Sequence, residues 1–330
     1  MRRTLRVAPL ALFLACGDGD SPPTGSGNPN PRPISPVASA YLAEVVDVMQ
    51  RGSINRFSID WAQFRAKVAE AASGAQSISD TYPAIRVALS LLADDHSVYV
   101  TRNGAYLSAS TKSCIAPPVT ARPTLPASVG YVRVRAFSGS AIEAAAFAQA
   151  LQDSIKANDR DNLVGWIVDL RGNGGGNMWP MVAGVGPVLG EGVAGHFINP
   201  DHVVTPWAYL NGASVLNGAT IQSVVAPYTL RRPTPRVAVL TDLAVASSGE
   251  AVAVSFRQRP EARSFGTATC GLSTANSNFA LSDGATLILT VALMADRDRN
   301  AYGGALPPDE QISNAETLVT RAVAWLVDGT

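Results

Sequence analysis

The chain has 330 residues, of which 47% are hydrophobic and 16% are charged, and its 26 basic residues balance its 26 acidic residues. A chain of this size and composition can bury a sizeable core. Its formal net charge of zero gives no electrostatic reason to expect a nucleic acid or an anionic membrane surface as a partner.

The first 16 residues are typical of a removable export signal. Arg2, Arg3 and Arg6 form a basic start, and the apolar stretch 7–15 is too short to span a bilayer as a helix. Cys16 ends a Phe-Leu-Ala-Cys sequence that resembles a lipobox, so we predict that Cys16 is lipidated. The alternatives are an ordinary signal peptide that is cleaved elsewhere and a hydrophobic N-terminal helix.

Residues 17–37 are rich in glycine, proline, serine and asparagine, which predicts a flexible linker. A linker behind a lipidated cysteine would hold an exported domain at the periplasmic face of a bacterial membrane. We expect no other contact with a membrane. Export would place Cys114 and Cys270 in an oxidising compartment, where they could form a disulfide.

Helices are predicted first along the chain. Apolar residues recur at helical spacing over 42–49, Asp60 could cap a second helix that reaches residue 72, and a third helix is predicted over 80–92. We therefore expect residues 38–95 to form a helical N-terminal subdomain.

Strands and helices alternate beyond a proline-rich stretch at 117–126. Strands are predicted at 129–134, 163–170, 236–241 and 285–294, and helices at 141–156, 178–189, 247–257 and 315–327. This alternation indicates an α/β fold, with residues 96–330 as the core domain.

Ser247 follows a predicted buried strand and opens a predicted helix. A hydroxyl at a helix N-terminus is surrounded by free N–H groups and by the positive end of the helix dipole, which would stabilise a developing oxyanion. The sequence Ser-Ser-Gly-Glu that begins at Ser247 also fits a capping box, so capping of the helix by Ser247 and Glu250 is the structural alternative.

A glycine-rich run, residues 172–176, follows the strand predicted at 163–170. Glycine lets a chain turn sharply and present backbone N–H groups to an oxyanion or a phosphate. The run matches neither of the common nucleotide-binding glycine patterns, so nucleotide binding is disfavoured. A structural turn is the alternative, and we expect Asp169 and Arg171 to pair beside it.

His96 is one of three histidines and lies where the third predicted helix gives way to a polar junction. A neutral imidazole there could take the proton of a serine hydroxyl and return it to a leaving group. The histidines and cysteines lack the spacing of a metal site, so we expect no metal and no cofactor.

Taken together and in this order, the segments 94–97, 168–176 and 241–250 resemble the motifs of the tail-specific (C-terminal processing) serine peptidase family, which includes the tricorn core protease. The segment 302–309 is similar to the family's glycine-then-Pro-Asp segment. The resemblance covers roughly residues 40–325. It implies a Clp-protease/crotonase-like core of ββα units.

The resemblance also implies roles for individual residues. Ser247 would be the nucleophile, and the backbone N–H groups of Ser248 and of either Gly174 or Gly175 would form the oxyanion hole. Of the two glycines we prefer Gly175.

Two departures from the family pattern narrow the prediction. The stretch between His96 and the strand at 129–134 is too short for a PDZ domain. In the processing branch a Ser-Lys dyad is used, but Leu272 stands at the lysine position here, and Lys156 is the last lysine of the chain. Similarity to the tricorn-like branch instead implies that His96 acts with Ser247.

An acid that orients His96 would complete this arrangement. Tyr302 stands where the tricorn-like branch has its acid, so we assign the role to Asp296, with Asp298 and Asp95 as alternatives. The predicted activity is that of a serine endopeptidase that acts on exported proteins or peptides. The alternatives are a non-catalytic ligand- or peptide-binding module on the same fold, and an esterase, although the Gly-x-Ser-x-Gly elbow of esterases is absent.

Overall fold

The computed structural model describes residues 33–119 and 121–329 of the chain. The predicted export signal, with Cys16, and most of the predicted linker lie outside the described residues. The helices of the described part are α1 (Pro36–Gly52), α2 (Trp61–Ala71), α3 (Tyr82–Leu91), α4 (Ala141–Asn158), α5 (Met178–Leu189), α6 (Ser248–Ser255) and α7 (Ala315–Asp328). Its strands are β1 (Val98–Val100), β2 (Tyr106–Ser108), β3 (Val129–Arg133), β4 (Gly165–Asp169), β5 (Gly192–Ile198), β6 (Val204–Leu210), β7 (Ala213–Leu216), β8 (Ala219–Ser223), β9 (Arg236–Thr241), β10 (Ala262–Gly266), β11 (Thr274–Ala280), β12 (Thr286–Ala295) and β13 (Glu310–Gln311).

The three predicted N-terminal helices are confirmed as α1, α2 and α3. Asp60 caps α2 as predicted, because its side chain accepts hydrogen bonds from the N–H groups of Ala62 and Gln63. The apolar faces of these helices pack against one another and against Leu287 and Leu289 of β12, both of which are fully buried. The helical subdomain therefore rests on a face of a β-sheet.

A parallel sheet of five strands, in the order β13-β10-β9-β4-β3, forms the centre of the α/β core. Helices α5 and α6 cover one face, and α7 covers the other face, where Trp325 contacts Phe265. In a parallel sheet the carboxyl ends of neighbouring strands lie at the same edge. The glycine-rich run after β4 and Ser247 after β9 are therefore brought together.

A second, antiparallel sheet follows the order β2-β1-β12-β5-β6-β7-β8, and β11 pairs with the other edge of β12. Of its strands, only β12 was predicted. Two of its hairpin turns contain Asn-Gly pairs with positive φ at both residues, Asn211-Gly212 and Asn217-Gly218, and such pairs are a readable hairpin signal. Together the two sheets and their helices confirm the predicted α/β, Clp-protease-like fold class.

Asp169 and Arg171 form a buried ion pair at the end of β4, with 2.7 Å between Oδ2 of Asp169 and Nη2 of Arg171. Tyr131 of β3 also donates a hydrogen bond to Oδ2 of Asp169. These contacts fix the start of the glycine-rich run, as predicted. Asp169 and Arg171 make none of these contacts with Ser247 or His96, so their role is structural.

Cys114 and Cys270 form a disulfide, with 5.2 Å between their Cα atoms and a sequence separation of 156. The bond ties the proline-rich segment before β3 to the segment that leads into β11. Both segments have little regular secondary structure. The crosslink stabilises the fold mainly by restricting how far the two segments can separate in the unfolded chain.

Replacement of both cysteines, Cys114→Ser with Cys270→Ser, is expected to lower the free energy of unfolding by about 3–5 kcal/mol, the usual effect of losing a native disulfide. Urea unfolding of both proteins, with and without dithiothreitol, measures the difference. The reductant should weaken the wild type and leave the double variant unchanged. Equal stability of wild type and variant under oxidising conditions would contradict the expectation.

Candidate active site

Ser247 lies at the turn between β9 and α6 in a strained backbone conformation, with φ +53° and ψ −120°. Positive φ is uncommon for a residue other than glycine, and such strain persists where surrounding structure enforces it, often at functional sites. The turn places the hydroxyl of Ser247 at the N-terminus of α6, partly accessible from a cavity. The sequence predicted this position for Ser247, after a strand and at the start of a helix.

His96 reaches Ser247 from the segment between α3 and β1. Its Nε2 atom lies 2.9 Å from the Oγ atom of Ser247, within hydrogen-bonding distance. Asp94 shapes this segment, because its carboxylate accepts hydrogen bonds from the N–H groups of His96 and Ser97 and from the hydroxyl of Thr290. The structure therefore brings together the two residues that the sequence paired across 151 positions.

Thr274, the first residue of β11, holds the other side of the imidazole, with 2.8 Å between its Oγ1 atom and Nδ1 of His96. When Nδ1 carries the proton and donates a hydrogen bond to Oγ1 of Thr274, Nε2 has no proton and can act as the acceptor that a general base requires. A hydroxyl fixes this tautomer and orientation without adding negative charge. Thr274 was not predicted, and no pattern in its sequence neighbourhood singles it out.

Burial lowers the pKa of His96 from 6.5 to about 4, and the nearby Asp94 carboxylate opposes this shift only in part. Because the lowered pKa keeps the imidazole neutral above about pH 4, His96 can accept a proton throughout the neutral range.

The reaction of Ser247 with a fluorophosphonate is therefore expected to stay fast down to about pH 5 and to fall with an inflection near the pKa of His96, about 4. The rate constant of labelling, measured from pH 3.5 to pH 8, gives this profile. Far-ultraviolet circular dichroism over the same range verifies that the protein stays folded. An inflection near 6.5, the ordinary pKa of histidine, would show that the imidazole is not desolvated.

The prediction that Asp296 orients His96 is wrong. The Asp296 carboxylate is fully buried and accepts hydrogen bonds from its own loop, from the side chains of Asn300 and Tyr302 and from the backbone N–H of Asp298. It stabilises the turn after β12, while Thr274 occupies the place beside Nδ1 of His96.

The two alternatives to Asp296 do not contact the imidazole either. Asp298 lies in the same turn and makes no hydrogen bond to His96 among the described residues. Asp95 points away from the imidazole, since its carboxylate accepts hydrogen bonds from Ser110 and from the hydroxyl and N–H of Thr111. No carboxylate of the described residues therefore takes the place of a third catalytic group.

The glycine-rich run passes directly beside Ser247. A Cβ atom on Gly175 would lie 2.9 Å from Cβ of Ser247, and one on Gly176 would lie 2.0 Å from the carbonyl oxygen of Phe137. Both glycines also have φ above +100°. No larger residue fits either position, which explains the glycines in physical terms.

The preferred oxyanion donor, Gly175, is wrong because its N–H already donates to Oδ1 of Asn173 at 3.0 Å. Gly174 does not line the cavity beside Ser247, whereas Gly176 and Ser248 do. The N–H of Phe137 donates to the carbonyl of Gly175, and the carbonyl of Phe137 accepts from the N–H of Asn177. The N–H and carbonyl of Gly176, which lies between them, therefore point away from Phe137. The carbonyl of Gly176 accepts a hydrogen bond from the Ser248 hydroxyl.

Glu250 organises the backbone around the nucleophile. Its buried carboxylate accepts hydrogen bonds from the N–H groups of Ser247, Gly271 and Leu272 and from the hydroxyl of Thr269. Burial raises the pKa of Glu250, although these hydrogen bonds oppose the shift. Glu250 thus caps α6 as predicted, and it also ties the Cys270 segment to the backbone of Ser247.

A cavity of about 990 Å³ opens beside Ser247, between the helical subdomain and the antiparallel sheet. Its walls combine polar residues with an apolar part formed by Met178, Trp179, Phe197, Leu216, Phe279, Ile288, Val291 and Met294. Arg56, just after α1, forms an ion pair with Asp201 in the β5–β6 turn, and both residues line the cavity. The cavity is large enough for several residues of an extended chain.

The described residues hold no group of three or more histidine, cysteine, aspartate or glutamate side chains that could bind a metal ion. Within the same residues, no helix has the length and apolar character needed to cross a membrane.

Comparison with known proteins shows the family of the chain. A model of peptidase family S41 matches residues 128–312, more than half of the chain. The chain is also 27% identical over 294 residues to a nisin-resistance protein of Lactococcus lactis subsp. lactis, an alignment that covers 89% of this chain and 88% of that protein.

Solved structures share the fold. A lipoprotein from Streptococcus agalactiae superimposes with a TM-score of 0.70 at 20% identity, covering 91% of this chain and 100% of the other. The photosystem II D1 C-terminal processing protease superimposes with a TM-score of 0.55 at 15% identity, covering 88% of this chain and 98% of the other. The family match confirms the predicted relationship, and the chain belongs to peptidase family S41.

Proposed function

We propose that the protein is a serine endopeptidase in which Ser247 attacks a peptide carbonyl and His96 is the general base. The observation that carries the proposal is the 2.9 Å contact between Nε2 of His96 and Oγ of Ser247, at the edge of a cavity that can hold a peptide. Among the described residues, His96 is the side-chain hydrogen-bond partner of the Ser247 hydroxyl. No lysine takes part, in keeping with Leu272 at the lysine position of the processing branch.

In the proposed reaction, His96 takes the hydroxyl proton as Oγ of Ser247 bonds to the carbonyl carbon, and the carbonyl oxygen becomes an oxyanion. The backbone N–H groups of Ser248, at the start of α6, and of Gly176 would donate to this oxyanion. Neither group donates a hydrogen bond to another described residue. His96 then passes its proton to the leaving amine, which leaves an acyl group on Ser247.

Water completes the cycle by the reverse sequence of proton transfers. His96 removes a proton from a water molecule, which attacks the acyl carbonyl, and Ser247 regains its proton as the new carboxylate leaves. Thr274 keeps Nδ1 of His96 protonated throughout but adds no negative charge to stabilise the imidazolium. We therefore expect a slower enzyme than one with an Asp-His-Ser triad.

We also propose that the protein is an exported lipoprotein that acts at the periplasmic face of a bacterial membrane. The basic start, short apolar stretch and Cys16 support this location, and the similar fold of a Streptococcus agalactiae lipoprotein agrees with it. The Cys114–Cys270 disulfide supports an oxidising compartment. Exported proteins and peptides would then be the substrates. The nisin-resistance relative makes nisin one compound to test.

A fluorophosphonate and β-casein, an unfolded protein, test the proposed activity. The wild type should form a covalent adduct at Ser247 and cut β-casein, with the cut sites mapped by mass spectrometry. The Ser247→Ala variant should do neither. A folded wild-type protein that neither labels nor cuts would overturn the proposal and favour a ligand-binding role, whereas labelling with hydrolysis of esters alone would favour an esterase.

A further inference from the structure

Strand β11 presents an open edge to the active-site cavity. It pairs with β12 along one edge, and the described residues place no strand along its other edge. Six consecutive residues, 274–279, line the cavity. Because side chains alternate between the two faces of a strand, contact with six residues in a row means that the cavity meets the edge of β11 as well as one face.

The unused hydrogen-bonding groups on that edge can be assigned from the pairing with β12. The N–H of Met294 donates to the carbonyl of Ser273, which makes Ser273 and Met294 a hydrogen-bonded pair. Along the ladder, hydrogen-bonded pairs then alternate with pairs that are not hydrogen-bonded. The extra residue of the bulge lies on β12, opposite the Ala275–Asn276 step of β11, so the alternation along β11 is unbroken. The N–H and C=O groups of residues 274, 276 and 278 therefore point away from β12.

These outward groups have no other partner. The backbone N–H and C=O groups of Thr274, Asn276 and Asn278 make no hydrogen bond to a described residue outside the ladder. Exposed edges in proteins are usually protected by charged side chains or proline. β11, with the sequence Thr-Ala-Asn-Ser-Asn-Phe-Ala, contains neither.

We propose that the substrate binds as an additional β-strand along the open edge of β11. This proposal rests on the proposed peptidase function. Thr274 begins β11 and contacts His96, so a peptide paired with this edge passes the catalytic pair at one end of the strand. Main-chain pairing supplies affinity without regard to sequence, while side chains select through the walls of the site.

The walls specify the kind of peptide. The cavity wall mixes aromatic and aliphatic side chains with polar ones, and Arg51 adds a positive charge beside the Arg56–Asp201 ion pair. A folded protein whose strands are already paired offers no free strand to this edge. The substrate class is thus an unfolded segment that carries apolar residues for the apolar parts of the wall.

The first test changes the backbone of the substrate. A decapeptide that spans the main β-casein cut site is made with a single N-methyl group at each amide in turn, apart from the cut bond. If the peptide pairs with β11, N-methylation should lower kcat/KM by about tenfold at every second amide on one side of the cut bond, since each lost backbone hydrogen bond costs about that much. The intervening amides, whose N–H groups point away from β11, should tolerate the methyl group.

The second test changes the edge itself. Asn278→Pro removes an outward N–H and leaves the ladder to β12 intact, a position where proline is tolerated. It should lower kcat/KM for the decapeptide by about tenfold, relative to the rate of fluorophosphonate labelling of the same variant. Ser223→Pro is the matched control, because Ser223 lies on β8, the edge strand at the far end of the same sheet. The N–H of Val224 donates to Gly212, so the same alternation turns the N–H of Ser223 outward, and this variant should stay within about twofold of the wild type.

The outcomes separate the two proposals. If Ser247 does not label and β-casein is not cut, the peptidase proposal fails. If Ser247 labels but neither N-methylation nor Asn278→Pro has a selective effect, edge pairing is overturned and the peptidase proposal stands. If Ser247 labels but β-casein is not cut, the peptidase proposal fails, and edge pairing fails with it because it rests on that proposal.

Discussion

The His96→Ala variant is expected to cut the β-casein decapeptide with a kcat lowered by about 10²- to 10⁴-fold, the usual contribution of a positioned general base. Ser247 would keep its place at the start of α6, because Glu250 holds its backbone N–H independently of the imidazole. The hydroxyl would lack a group that takes its proton. The loss should be smaller than in a triad with aspartate, since Thr274 adds no charge to stabilise the imidazolium.

The measurement is steady-state kinetics on the decapeptide, with thermal unfolding as a check of stability. His202→Asn is the matched control. His202 is exposed at the β5–β6 turn with φ +61°, a conformation that asparagine adopts readily, so this variant should retain wild-type kcat. A His96→Ala variant that keeps more than about a tenth of the wild-type kcat would show that another group is the base.

The Glu250→Ala variant is expected to lose about 3–5 kcal/mol of unfolding free energy, the cost of removing one partner from a buried charged network. Three backbone N–H groups and the Thr269 hydroxyl would lose their acceptor at once. Glu250→Gln should be almost as damaging. Each carboxylate oxygen accepts two of these hydrogen bonds, so either orientation of the amide would direct an NH₂ group at two donors.

Glu143→Ala provides the matched comparison. Glu143 has the same position in the capping box of α4, where it accepts from the N–H of Ser140, but its side chain is exposed. Its removal should cost only about 0.5–1 kcal/mol. Urea unfolding of the three variants measures the difference, and labelling of Ser247 follows the site. Similar losses for Glu250→Ala and Glu143→Ala would show that the Glu250 network adds nothing beyond a helix cap.

The N-terminal helices, the strands β3, β4 and β9 and the helices that pack on the parallel sheet could be predicted because their signals are local, whereas β10 and β13 of that sheet were missed. Asp60 before an apolar helix and the buried strand at Gly165–Asp169 show in a short window of sequence. Strands β5 to β8 were missed. They lack strict alternation, and the Asn-Gly pairs at their turns were the signal that could have found them.

The order of the motifs, together with the residue types in each, was enough to predict the fold class, the family and the pairing of Ser247 with His96. A nucleophile at a strand-to-helix turn and a glycine-rich run after another strand are properties of short segments. The absence of a lysine after Lys156 also argued against a Ser-Lys dyad.

Only the tertiary structure decided which groups complete the site. Thr274 contacts His96 across 178 residues of sequence, and Asp296 is engaged by its own turn. The N–H of Gly175 is taken by a neighbouring asparagine side chain, a contact that depends on the exact path of the turn. The segments that carry these groups meet only in the folded chain. Differences of a few tenths of an ångström in their separation decide which groups form hydrogen bonds, and a sequence pattern does not specify those separations.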